Sequence, residues 1–186
     1  MTLTCPTGHQ HAVRETPFLC WVLRWHILIG FHSHNPVGKV FNEEELKRIG
    51  DLSLKNNFII LSDEVYDRLY YVPFKRIAAM SPELYERTLT VGSAGKAFYA
   101  TGWRVGYLIG PPHLIKYVAA AHTRICYSSV SPLQEACAVA FEQADKEGFW
   151  DHTRKDMQRK IKLFCAVFDE LGIPVRAYDL PGKAAR

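Results

Sequence analysis

The chain has 186 residues, enough for one hydrophobic core and a length that favours about one domain. Its 48% hydrophobic and 23% charged residues exclude a disordered or fibrous chain, and a net charge of only +4 without a Lys/Arg run argues against nucleic acid as a partner. Cys5, Cys20, Cys126, Cys137 and Cys165 are odd in number and contain no C-x-x-C pair, which argues against a zinc site or disulfide framework and for a reducing compartment, the cytoplasm first and the mitochondrion second.

Residues 1–25 follow no periodic template and are expected to be an irregular N-terminal segment. The apolar stretch Phe18 to Phe31 holds Arg24 and His26 and is too short to span a bilayer. Its upstream flank carries Arg14 but also Glu15, with no clear n-region and no small-residue cleavage site, so it is not read as a signal peptide and no membrane partner is expected. Its end, HILIGF, reads as a buried strand over 26–31, and HNPVGK after it is a turn signal.

Asn42 is a good N-cap, and Glu43, Glu44 and Glu45 suit the positive end of a helix dipole. With Leu46, Ile49 and Leu52 or Ser53 at helical spacing, a helix is predicted over 42–55. The apolar run 58–62 reads as a parallel strand covered on both faces. A mixed segment follows, with a short helical turn near 76–80, then a strand at 88–93. A loop containing Gly95 and Gly102 leads to a strand at 105–110, which Pro111 and Pro112 stop. Helices are predicted from there to about 125, over 132–146 and over 149–171, with Gly172 closing the last. GIPVRAY is a weak final strand. This order predicts an α/β fold with a mostly parallel sheet and flanking helices.

In open α/β sheets, ligands bind beyond the carboxyl ends of the parallel strands. Three such ends here carry chemically able residues: Asn35 after the first strand, Asp63 and Tyr66 after the second, Ser93 and Lys96 after the third, with Arg104 eight residues beyond Lys96. Singly, each has an ordinary reading. Asn-Pro is a turn, Asp63 a cap or an ion-pair partner, Tyr66 and Arg104 rim groups, and Lys96 a solvated lysine. The string GSAGK also suggests a phosphate loop. That motif needs Gly five residues before Gly95 and Ser or Thr after the Lys, and these places hold Thr90 and Ala97, so the match fails. His32 and His34 are spaced like strand ligands but have no third ligand nearby in sequence, so no metal is expected.

Taken together, the strings HNPVGKVFNEEEL, LSDEVYDRLYY, ERTLTVGSAGKAFYATGWRVGYLIGP and SPLQEA resemble the large domain of class I aminotransferases of fold-type I. Within that class the kynurenine aminotransferase and cysteine-conjugate β-lyase group is the nearest look, and the match runs from about His34 to Gly172. The resemblance implies pyridoxal 5′-phosphate as cofactor and Lys96 as the Schiff-base lysine and proton carrier. It implies Asp63 for the pyridine nitrogen, Tyr66 and Asn35 for the phenolic oxygen, and Ser93 and Arg104 for the phosphate. It implies amino acid and 2-oxo acid substrates, amino-group transfer or β-elimination on a cysteine conjugate, and a homodimer.

Residues 26–147 would then be the cofactor-binding core, and 148–186 the long helix and the start of a truncated small domain. The family's N-terminal glycine loop, its ring-stacking aromatic and the arginine that clamps the substrate carboxylate have no recognisable counterpart. The chain therefore looks like a large-domain fragment. The alternative is a catalytically impaired homologue that keeps the core fold and acts as a weak cofactor binder or pairing partner.

Overall fold

The structure, a computed structural model, describes residues 27–31, 35 and 38–173. Its centre is a four-stranded sheet in the order β1 (Ile27–Phe31), β2 (Ile59–Asp63), β3 (Thr88–Ser93), β4 (Gly106–Ile109). β1, β2 and β3 are parallel, as expected, and β4 runs antiparallel to β3. Phe31 pairs with Asp63 and Asp63 with Val91, so the three parallel strands end almost level.

Parallel neighbours need a crossover, and α1 (Glu43–Asn56) supplies the one between β1 and β2. Its start is a reciprocal cap. The Asn42 carboxamide oxygen accepts the Glu45 N–H at 2.9 Å, and the Glu45 carboxylate accepts the Asn42 N–H at 2.9 Å. Its end is Asn57 in the left-handed conformation, φ 53°, a residue type that tolerates this region better than most. Leu46, Gly50 and Ser53 form its buried stripe. Of the two sequence candidates for the last place, Ser53 is inside and Leu52 exposed. The Ser53 hydroxyl donates to the Phe58 carbonyl at 2.6 Å, which satisfies it in the interior.

Between β2 and β3 lie a 3₁₀ turn (Ile77–Ala79) and the short helix α2 (Pro82–Tyr85), which Ser81 caps. The turn falls within the predicted 76–80 span, whereas α2 lies where no element is predicted. Leu46, Ile60, Ile77 and Leu84 make the core between α1, α2 and β2. Gly50 lets α1 approach α2, because a Cβ there would meet a Leu84 methyl at 2.9 Å.

After β3 the expected loop is partly helical: α3 (Ala94–Ala97), then a 3₁₀ turn (Thr101–Trp103). The Ser93 cap and the close fold-back at Gly95 explain the difference. A Cβ on Gly95 would sit 3.1 Å from the Ala100 carbonyl oxygen. The helices α4 (Pro112–Ile125), α5 (Ser131–Ala144) and α6 (Phe149–Glu170) follow within a residue or two of prediction. Phe98 joins α3 to them, with its ring centroid 4.8 Å from Phe141 and 5.1 Å from Trp150. Cys137 and Cys165 are buried and Cys126 is exposed. The predicted last strand from Pro174 on, the irregular segment 1–25, His32 and His34 lie outside the described residues.

The Tyr107 ring lies against Gly92, its cross-strand partner, and a Cβ on Gly92 would come within 2.1 Å of it. Gly92→Ala should therefore lower stability by about 1–3 kcal/mol through overpacking, read as a lower urea midpoint. The cost should shrink in a Tyr107→Ala background, where the obstructing ring is gone.

Candidate active site

The level ends of β1, β2 and β3 bring the predicted residues to one edge of the sheet. The Asn35 carboxamide nitrogen donates to the Tyr66 hydroxyl at 3.2 Å, joining the first strand end to the second. The Lys96 ammonium stands over the Tyr66 ring, 5.6 Å from its centroid, which adds the third. Lys96 is exposed and Tyr66 half-buried.

Ser93, Lys96 and Arg104 share a small cavity of about 120 Å³, closed by Gly95, Thr101, Val105 and Gly106. The Ser93 hydroxyl oxygen caps α3 by accepting the Lys96 N–H at 3.3 Å. Arg104 donates from Nη1 to the Thr101 carbonyl at 3.2 Å. The other donors of its fork face no carboxylate among the described ion pairs. Tyr99 (φ 57°) and Arg104 (φ 55°) are both left-handed, at about 1–2 kcal/mol per residue. Two such residues in the loop that follows Lys96 mark backbone whose shape is held by its surroundings.

Asp63 reaches the same edge but not the same contacts. Its half-buried carboxylate accepts the Val65 N–H at 3.2 Å, a local turn bond. Among the described hydrogen bonds and ring contacts it is not joined to Asn35, Tyr66 or Lys96. Strand register alone sets it beside the end of β3, opposite Val91.

A larger cavity, about 510 Å³, lies elsewhere, against Glu64, Asp67, Arg76, Tyr85, Tyr107 and Ile109. It contains none of the six predicted residues and no lysine, and its two acids are already paired with Arg76. Chemistry favours the smaller site, where amine, hydroxyl and unpaired guanidinium donors meet. The acid–arginine cluster is the feature that the sequence reading passed over. Its trace in the sequence is the pair Glu64 and Asp67 at turn spacing, just past an apolar strand.

Burial pushes the Glu64 carboxyl above its ordinary 4.5, against the pull of Arg76 and of the Ser62 hydroxyl. The Lys39 ammonium, 2.6 Å away, and the cap bond to Asn42 hold Glu45 below 4.5. The two acids act oppositely on folding. Glu64 binds its proton more tightly when folded, so its contribution is full below pH 4.5 and is lost as pH rises through the raised value. The Glu45 contribution is present above pH 4.5 and is lost as pH falls through the lowered value. A carboxyl-carbon NMR titration of the folded chain should find Glu64 above and Glu45 below the free-glutamate midpoint.

The sequence profile described as aminotransferase class I and II matches residues 27–179. The probable kynurenine–oxoglutarate transaminase BNA3 of Saccharomyces cerevisiae is 52% identical over 146 residues, covering 77% of this chain and 33% of that protein. Human kynurenine–oxoglutarate transaminase 3 is 40% identical over 146 residues, 75% of this chain and 32% of its own length. Among solved structures, Bna3p from Saccharomyces cerevisiae superposes with a TM-score of 0.79 at 50% identity, over 81% of this chain and 36% of that one. N-succinyldiaminopimelate aminotransferase from Mycobacterium tuberculosis superposes at 0.74 with 31% identity, over 78% of this chain and 38% of that one. The chain spans about a third of the length of the curated relatives it matches.

Proposed function

The chain belongs to the class I and II aminotransferase family, and from that premise we propose that its sheet edge is the pyridoxal-phosphate end of a transaminase, with Lys96 as the attachment point. The observation that carries this is the meeting of Asn35, Tyr66 and Lys96, which come from three successive strand ends.

The donor set suits the cofactor. Lys96 offers an amine nucleophile for an aldehyde carbon. Tyr66 and Asn35 offer an O–H and an N–H to an anionic ring oxygen, and the bond between them orients both. Ser93 and Arg104, on one small cavity, suit a phosphate, and Arg presents a planar fork of donors. Asp63, on the neighbouring strand end, suits a protonated ring nitrogen.

When bound, pyridoxal phosphate supplies a ring that accepts the electrons released at a substrate α-carbon. The protein's share is to hold that ring and to move the proton. Lys96 is the base that takes the proton from the α-carbon and the acid that returns it. Ser93 and Arg104 hold the phosphate, so that the amine meets the same carbon on each turnover. Asp63 keeps the ring nitrogen charged. An interaction that shifts that nitrogen by about one to three pH units is worth about 1.4–4 kcal/mol.

The substrates proposed are an aromatic, kynurenine-like or sulfur-containing L-amino acid and a 2-oxo acid, after the relatives named kynurenine–oxoglutarate transaminase. A homodimer and a reducing compartment such as the cytoplasm complete the reading. Free Cys126, Cys137 and Cys165 suit that compartment. None of the described helices is long and apolar enough to cross a membrane.

A second reading is favoured by Asp63, whose carboxylate accepts the Val65 N–H and is joined to none of Asn35, Tyr66 and Lys96 among the described contacts. The chain is then a core that binds the cofactor without completing turnover.

Titration with pyridoxal phosphate should produce a visible absorbance that Lys96→Ala abolishes, and borohydride should fix the label on the peptide carrying Lys96. Absorbance that survives Lys96→Ala would sink the assignment. A Lys96-dependent band that changes on adding an L-amino acid supports the transaminase, and one that no amino acid alters supports the cofactor-binding core.

A further inference from the structure

Tyr66 sits inside a segment whose two flanking acids are both bonded by the Arg76 guanidinium. The Asp67 N–H donates to the Glu64 carbonyl at 2.9 Å, and the Leu69 N–H to the Tyr66 carbonyl at 2.9 Å. Tyr66 thus belongs to two overlapping turns. The acids on either side of it, Glu64 and Asp67, both point to Arg76, which bonds Glu64 through Nη1 and Asp67 through Nη2.

Glu64 is only 1% exposed, and its second oxygen accepts the Ser62 hydroxyl at 3.0 Å. Arg68 adds a second cation, with Nε 3.6 Å from Asp67 and its guanidinium over the Trp150 ring at 4.7 Å. Arg76 is itself anchored, because the next residue, Ile77, is in the core. The Glu64 N–H is held by the Val91 carbonyl at 2.9 Å, which ties the same turn to β3, the strand that leads to Lys96.

A buried ion pair is a weak source of net stability, since desolvation offsets the attraction. Its geometry is nevertheless rigid, because the two parallel donors of an arginine fork fix two acceptors at once. Here the acceptors are three residues apart and Tyr66 lies between them. Successive strand residues also point to opposite faces, so Glu64 is held on the face away from Asp63.

We propose that Arg76, through Glu64 and Asp67, is a positioning residue for the site, fixing the turn that presents the Tyr66 phenol to Asn35 and Lys96. This rests on the pyridoxal-phosphate reading for its consequence in the loaded protein, but not for its consequence in the free chain.

Amide hydrogen exchange tests the free chain. In Arg76→Met, the Asp67 and Leu69 amides should exchange at least several-fold faster while the β2–β3 ladder keeps its protection. Unchanged exchange at both amides in a folded Arg76→Met chain overturns the proposal.

The pH dependence of the Lys96-dependent absorbance tests the loaded protein. A phenol donating to the ring oxygen favours the deprotonated chromophore, so losing that donor should raise its pH midpoint, by roughly one unit. Arg76→Met should raise the midpoint, and Arg76→Lys, whose single ammonium cannot span both acids as a fork, should restore it in part. Tyr66→Phe should raise it too, and Arg76→Met added to Tyr66→Phe should shift it no further. Full additivity of the two shifts, or no shift in Arg76→Met, overturns the proposal. Should Arg76→Met not fold, Asp67→Asn loosens one arm of the fork and is read by the same two measurements. A protein with no Lys96-dependent absorbance defeats the functional reading instead, and the exchange comparison then decides the role of Arg76 in the turn.

Discussion

Three parallel strands that stop almost level are the constraint on which the rest of this molecule depends. The pairing of Phe31 with Asp63 and of Asp63 with Val91 sets where the chain leaves each strand. A slip of one residue would reverse every side chain between the two faces of the sheet. The contacts among Asn35, Tyr66 and Lys96 would then be lost, although no residue of the site had changed. The core of Leu46, Ile60, Ile77 and Leu84 holds that register by packing α1 and the 3₁₀ turn on β2.

Around this frame the chain accepts local costs where the candidate chemistry lies. Tyr99 and Arg104 take up left-handed backbone beside Lys96, and Glu64 places a carboxyl where almost no water reaches. For Glu64, desolvation outweighs the attraction of Arg76, since its carboxyl is held above its ordinary range even with the guanidinium in contact. Such an arrangement contributes definition more than stability. The surface pairs, Arg48 with Glu44 and Lys160 with Asp156, join partners one helical turn apart at the surface and add little to stability.

Interactions close in sequence were legible before any coordinates. The N-cap of α1 follows from Asn42 beside the acids Glu43 to Glu45, and β3 spans the predicted 88–93 without a shift. The proline stop before α4 and the glycine after α6 are local in the same way. Of the short elements, the turn near 76–80 was legible and the others were not. α2, α3 and the turn at Thr101–Trp103 have three or four residues each, too few to show a period. They exist because Ser81 and Ser93 cap them and because the loop after Lys96 closes over Gly95. The antiparallel sense of β4 is set by the fold-back of that loop and by Tyr107 resting on Gly92, a contact between residues 15 positions apart.

The same division runs through the site. By itself the sequence determined which chemical groups stand at which strand ends, because an apolar run followed by a polar cluster records the end of a strand. It also determined the family to expect, because SDEVY and GSAGK preserve residue types in order along the chain. Only the tertiary structure decided which groups meet: Asn35 with Tyr66, Lys96 over the Tyr66 ring, Asp63 turned onto the Val65 amide, and Arg76 gripping both acids beside Tyr66. The physical reason is that these contacts join residues up to 31 positions apart. Sheet register and core packing bring such residues within a few ångströms, and neither is written in any short stretch of the chain.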